Sequence, residues 1–441
     1  MRLAPILLCA LLAFAGCGDD DASPPDAGPP DAGPGDAGPG TDAGPDRWAI
    51  PDASRPDIGD CPARPPAPRG VDEQPGSAVL GAVPAPIRLR LGFAFDPATS
   101  ISAVWQTDDG TLVSDLEIGL AADALTTRLS GVTLGYQPVD RTEDPVRLHQ
   151  LDVCGLSAGT SYFYRVGGEG AWSDVSSFTT APAADAADRS IVVGVTGDSR
   201  NDPSVFGRIQ DDMASEAVDL QLFTGDVVEI SIVQTQWHDW FDAAGTHLAT
   251  APFMPSNGNH DGLSVNYLAQ FAMPVNEKFF AFEYGPLYVV ILDSDDKGAE
   301  QVAFLEWALG RVDRVRTPWV VAVHHRPIWS QSNHGSDTEL QSLWMPLYER
   351  LGVDLVLTGH DHNYQRTHPL VDGARVADGE GVVYVVTGGS GAPLYGVDPA
   401  AVMAVQEETN HYVLLRVSPT ELELIARYVD GTMLDTLTLV R

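Results

Sequence analysis

Apolar residues recur with two different periods along the chain, and the change between them divides it. From about residue 80 to residue 181 short runs alternate with polar positions and are broken by turn residues, the pattern of half-buried strands. Segments 87–93, 101–106, 147–153, 161–166 and 176–180 are the best strand candidates, with Trp105 as the expected core anchor. An Ala/Asp/Pro linker at 181–188 follows. Over 189–441 continuous apolar runs of strand length then alternate with helix-like stretches, the mark of an α/β domain with a largely parallel sheet. Trp237, Trp240 and Phe241 fall on one face of a predicted helix. The expected architecture is an all-β sandwich in front of an α/β domain.

Chemistry gathers where the apolar runs of the second domain end. Run 191–195 leads to Gly197-Asp198-Ser199-Arg200, and run 220–223 leads to Gly225-Asp226-Val227-Val228-Glu229. Run 253–255 leads to Gly258-Asn259-His260-Asp261, and run 319–323 to His324-His325-Arg326-Pro327. Run 353–357 leads to Gly359-His360-Asp361-His362, where residues two apart on an extended segment point the same way. Parallel sheets place their sites beyond the carboxyl ends of strands, so five such ends converge on one crevice. The donors are oxygen and nitrogen without thiolate, a set that suits two divalent or trivalent ions. Two ions about 3.5–4 Å apart can clamp both ends of an in-line phosphoryl displacement.

The front of the chain reads as export machinery. Arg2 precedes an apolar run, 3–15, too short to span a bilayer, and Phe14-Ala15-Gly16-Cys17 resembles a lipobox whose cysteine is lipidated. Phe14 stands where leucine is usual, so cleavage without lipidation is the alternative. Asp-Ala-Gly-Pro repeats begin at Asp26, and 18–70 is expected to be a disordered tether with no apolar face to bury. The net charge is −35 with only two lysines, Lys278 and Lys297, which argues against nucleic acid as a partner. Cys61 and Cys154 remain in the mature chain and could form one disulfide in an oxidising compartment.

These motifs, in this order and spacing, resemble the calcineurin-like metallophosphoesterases, and the β-rich region in front resembles the purple acid phosphatase-like branch with its fibronectin type III-like domain. The resemblance implies a four-layer α/β/β/α sandwich. It implies that Asp198 and His362 bind a first metal, Asp226 bridges, and Asn259, His325 and His360 complete a second. His324 competes for the His325 position. The resemblance further implies His260 as the acid for the leaving group, with Asp261 orienting it, and His334 as a second substrate-facing histidine. Asn259 also falls within reach of substrate.

Two positions depart from the family pattern. The tyrosine that gives purple members their colour is Glu229 here, and a histidine otherwise found two residues after the first aspartate is Arg200. Arg200 could contact substrate phosphate or form a salt bridge. The expected activity is an exported, dinuclear phosphomonoesterase with iron, zinc or manganese, in which a metal-bridging hydroxide attacks the phosphorus of a small phosphorylated substrate. Phosphodiester or nucleotide hydrolysis is the alternative chemistry, and a surface-binding protein with a degenerate phosphatase fold is the alternative class.

Overall fold

Alternating burial builds the first region into two facing antiparallel sheets. The computed structural model describes residues 45–441 apart from 56, 60, 140, 141 and 188. The expected leader with Cys17 and the tether repeats lie outside the described residues. Strands Ser100–Thr107 and Val146–Cys154 pair along their length in a five-stranded sheet, and Ser161–Gly167 belongs to a four-stranded one. Trp105, Ile101 and Val153 of one sheet meet Ile118, Tyr164 and Val166 of the other in a shared core. The Tyr162 hydroxyl accepts from the Ser157 N–H at 3.0 Å, pinning the corner ahead of its strand.

The expected tether is too long at its carboxyl end. Trp48 is buried, its ring 5.8 Å from Phe304 and 5.7 Å from Trp307. Ile50 and Ile58 pack against two further cores, and Cys61 is disulfide-bonded to Cys154 across 93 residues. Averaged with the repeats before them, these few apolar anchors disappear from the composition, yet each offsets the ordering entropy of its neighbours.

The second region holds two mixed sheets rather than one largely parallel sheet. In the six-stranded sheet Phe253–Pro255, Leu220–Phe223 and Ile191–Thr196 are parallel, while His411–Val417, Glu421–Tyr428 and Met433–Val440 continue it antiparallel. In the seven-stranded sheet Leu287–Ile291, Trp319–Val323, Leu355–Thr358 and Val383–Thr387 are parallel, flanked by antiparallel strands. Val193, Val195 and Val413 face Ile291, Val321 and Leu355 between the sheets. Helix Pro203–Ser215, started by the Asp202 cap and a proline in its first turn, packs Val205, Ile209 and Met213 on the outer face of the first sheet. Helix Ala299–Leu309 covers the outer face of the second through Phe304, Leu305 and Ala308. The result is the four-layer α/β/β/α arrangement.

Sandwich and α/β region form one unit from Trp48 to Arg441. Arg90, 1% exposed, donates from Nε to the Gln270 carbonyl and from a terminal nitrogen to Gln270 Oε1, each at 2.6 Å. Its guanidinium also lies over the Phe241 ring at 4.4 Å. Tyr136 donates to Gln234 Oε1 at 2.7 Å across the same seam.

One buried histidine ties sandwich stability to pH. The His149 ring stacks on Trp105 with centroids 5.0 Å apart, and its Nε2 lies 2.7 Å from Thr107 Oγ1. Burial, assisted by Arg147, pushes its imidazole down to about 3. The unfolded chain binds this proton from about pH 6.5, so the stability present above that value is lost as pH falls towards 3. Urea unfolding should show a loss of up to about 1.4 kcal/mol per pH unit in that window. His149→Gln should flatten the slope, and an unchanged slope would place the dependence elsewhere.

Candidate metal centre

The crevice lies where the carboxyl ends of strands from both sheets meet. Asp198, Asp226 and Asn259 follow three strands of the six-stranded sheet, while His325, His360 and His362 follow two of the seven-stranded one. Asp198, Asp226 and His360 have φ of +54°, +60° and +68°. This left-handed conformation costs a side-chain-bearing residue roughly 1–2 kcal/mol, and here backbone bonds hold it. The His360 N–H donates to both Asp198 oxygens at 3.1 and 3.0 Å, and the His260 N–H donates to Asp226 Oδ1 at 2.9 Å. A Cβ on Gly258 would strike the Asp226 carboxylate, and one on Gly359 would strike Asp198. Only glycine lets these loops close on each other.

Lone pairs confront one another at the centre. His325 donates from Nδ1 to the Thr224 carbonyl at 2.8 Å, which turns Nε2 into the crevice. Around Nε2 stand Asn259 Oδ1 at 3.0 Å, His360 Nδ1 at 3.1 Å and Asp226 Oδ1 at 3.4 Å. His360 Nε2 accepts from Arg326, so its Nδ1 can donate to one neighbour, and the remaining acceptors repel unless a positive charge sits among them. Burial opposes that charge on His325, yet Asp226 and then Asp198 overcome it and push the imidazole up to about 10. A metal ion would supply the same charge. Ligand atoms of Asp198, Asp226 and His325 all lie within 4.8 Å of one another. Asp226 Oδ2 is buried with no hydrogen-bond partner among the described residues, and the Arg200 guanidinium, with Nε at 3.6 Å, supplies positive charge on that side. The donor set fits a metal.

His362 donates from Nδ1 to the Pro393 carbonyl at 2.6 Å and presents Nε2 3.5 Å from Asp198 Oδ1. His325, not His324, faces the crevice. His324 points the other way, 5.1 Å from the Trp344 ring, and burial pushes it down to about 3. His260 donates from Nδ1 to the Glu229 carbonyl at 2.7 Å and leaves Nε2 3.9 Å from Asp226 Oδ2, with a quarter of the side chain exposed. The His334 ring stacks on His360 with centroids 4.0 Å apart. Arg200 is directed inward: one terminal nitrogen donates to Glu229 at 2.6 Å, the other lies 3.2 Å from His362 Nε2, and Nε lies 3.6 Å from Asp226 Oδ2.

Asp261 does not orient His260. Its Oδ2 accepts from the N–H groups of Asp226 at 2.8 Å and Gly258 at 3.0 Å, and its Oδ1 accepts from Val227 at 3.0 Å. The carboxylate lies behind the crevice and ties two strand-end loops together, because the turn at Gly258 sends successive side chains to opposite sides. Asp361 does similar work between the two histidines, accepting from Ser330 Oγ at 2.5 Å and the His334 N–H at 3.0 Å. Tyr395, stacked on His362 with centroids 4.1 Å apart, and Arg326, 3.1 Å from His360 Nε2, were not singled out from sequence. Their signals were present, in the glycine-rich run that ends at Tyr395 and in the residue before Pro327. His247 pairs with Asp211, and His411 bonds Thr387, both away from the crevice.

Replacing Asp261 by Asn removes at least one of three buried backbone bonds. Asp261→Asn should lower stability by about 1–3 kcal/mol and weaken metal uptake roughly 10–100-fold. Thermal melting and metal titration read both, and unaltered stability would refute the clamp.

Comparison with known proteins agrees with this geometry. Residues 191–364 match the family described as Calcineurin-like phosphoesterase, and residues 86–180 match Purple acid Phosphatase, N-terminal domain. Purple acid phosphatase 18 of Arabidopsis thaliana is 27% identical over 346 residues, covering 74% of this chain and 75% of that protein. Purple acid phosphatase 21 of the same plant is 28% identical over 308 residues, 65% of this chain and 68% of that one. The fold is similar to that of a purple acid phosphatase isolated from yellow lupin (Lupinus luteus) seeds, with a TM-score of 0.70 at 21% identity over 81% of this chain and 74% of that chain. The chain thus carries a Calcineurin-like phosphoesterase domain behind a purple acid phosphatase N-terminal domain, and its catalytic class is that of a phosphoesterase.

Proposed function

We propose that this protein is an exported phosphomonoesterase acting on small phosphorylated substrates, held at a membrane by a lipid on Cys17. The observation that carries the catalytic part is the ring of oxygen and nitrogen ligand atoms around His325 Nε2, with the His260 imidazole at its open edge. Asp226, Asn259, His325 and His360 would hold one ion, and Asp198 and His362 flank the place of a second beside Asp226. Iron, zinc and manganese all suit such donors. Bound metal supplies Lewis acidity for a phosphoryl oxygen and for the charge that builds there.

The protein's own contribution is position and proton transfer. The Glu229 carbonyl accepts from Nδ1–H of His260 and so fixes the ring with Nε2 facing the crevice, where Nε2 would present the proton of the acid form. That proton is the one to pass to the departing oxygen. His334, held against His360 by stacking, borders the same opening. The leader and the aspartate-rich repeats support export and tethering, and no helix among the described residues is long and apolar enough to cross a membrane.

The test is hydrolysis of an aryl phosphate monoester by the metal-loaded full chain beside Asp226→Asn and His260→Ala. Asp226→Asn should abolish turnover. His260→Ala should lower kcat by about 10²–10⁴-fold, more for an alkyl phosphate, whose leaving group needs the proton, than for an aryl one. Negligible rates in parent and variant alike would reject the monoesterase reading, and turnover of a diester instead would establish the alternative chemistry.

A further inference from the structure

The place beside Asp198 and His362 already contains a cation. A metal there would need the inward lone pairs of His362 Nε2 and Asp226 Oδ2. Both face the Arg200 guanidinium, at 3.2 Å from a terminal nitrogen and 3.6 Å from Nε. The third nitrogen is bound to Glu229 at 2.6 Å, so the group is anchored on its far side. The Arg200 side chain is only 10% exposed, with Asp198, Asp226 and Glu229 all contributing to its charge balance. Both residues that depart from the family pattern therefore meet as one pair, 29 positions apart in sequence.

A metal ion and a guanidinium cannot share this space. They compete for the same lone pairs and carry the same sign of charge, and arginine cannot relieve the conflict by losing its proton. Glu229 is turned to other groups, with Oε2 accepting from Arg200 and Oε1 4.0 Å from His260 Nδ1. Among the described residues no guanidinium stands between the ligand atoms of the other half: Asn259 Oδ1, His325 Nε2, His360 Nδ1 and Asp226 Oδ1 face one another directly.

We infer that the Arg200 guanidinium, anchored by Glu229, takes the place of the first metal, so that this chain binds a single ion on Asp226, Asn259, His325 and His360. The inference rests on the reading of the crevice as a metal centre. It does not depend on which phosphate ester is cleaved. The centre then keeps a positive charge on each side of Asp226, one exchangeable and one built into the chain. Arg200 is a positioning residue in this arrangement, since its three nitrogens are directed at protein atoms rather than at the opening.

Metal stoichiometry tests it without any substrate. The full chain is saturated with Mn²⁺, freed of excess by gel filtration, and measured by elemental analysis and electron paramagnetic resonance. One ion per chain with the spectrum of an isolated Mn²⁺ is expected. Arg200→Ala should rise to two per chain with a spin-coupled spectrum, whereas Arg200→Lys, which keeps a charge there, should stay at one. Two coupled ions in the unaltered chain, or none, would overturn the inference, as would an Arg200→Ala protein that melts normally and still takes up one. Full turnover with two ions would reject this inference alone, and one ion without turnover would reject only the phosphomonoesterase reading.

Discussion

Acceptors that face one another across about 3 Å set the terms for the whole crevice. His325 Nε2, Asn259 Oδ1 and Asp226 Oδ1 would separate if each were free to move, because His360 Nδ1, whose other ring nitrogen accepts from Arg326, can donate to only one of them. They stay because backbone groups hold them, as the His260 N–H holds Asp226 Oδ1. The Thr224 carbonyl holds His325, and the Pro393 carbonyl does the same for neighbouring His362. This is the general logic of a preorganised site for positive charge: the repulsion is built during folding and relieved on binding.

Holding such a ring requires backbone that ordinary strands do not provide. Three of its residues or their neighbours, Asp198, Asp226 and His360, adopt left-handed conformations at the strand ends. Glycines at 258 and 359 let the loops approach within contact of the carboxylates. Asp261 and Asp361 then fasten those loops from beneath with bonds to backbone N–H groups. Strain at functional positions persists only where the surroundings over-determine it. Here they do so with buried carboxylates that never reach the opening.

Among the described residues the sandwich contributes no group to the crevice, yet it is not a separate bead on a string. Arg90 and Tyr136 enter the α/β region and bond Gln270 and Gln234 there, and Gln234 opens the helix whose Trp237, Trp240 and Phe241 support the loop after Asp226. The disulfide between Cys61 and Cys154 fastens the segment that arrives from the amino terminus to the last residue of a sandwich strand. A buried seam of hydrogen bonds and a covalent tie make the front region a rigid support for the back one.

Much of this was legible in the residues themselves. Apolar runs located the strands because burial on both faces leaves little freedom in composition, and the polar residues after each run marked the crevice because parallel strands deliver their ends to one side. Which side chains touch was decided only in three dimensions. His324 and His325 are equivalent as letters, and the pleat separates them into core and crevice. Asp261 stands beside His260 in sequence, but a turn sends it to the backbone of another loop. The division of five strand ends between two sheets, and the docking of Trp48, depend on partners hundreds of residues away. The meeting of Arg200 with Glu229 over His362 joins positions 29 and 162 apart in the same way. Local pattern determines which groups are available and how each segment wants to fold, and long-range packing alone determines which of them share a charge.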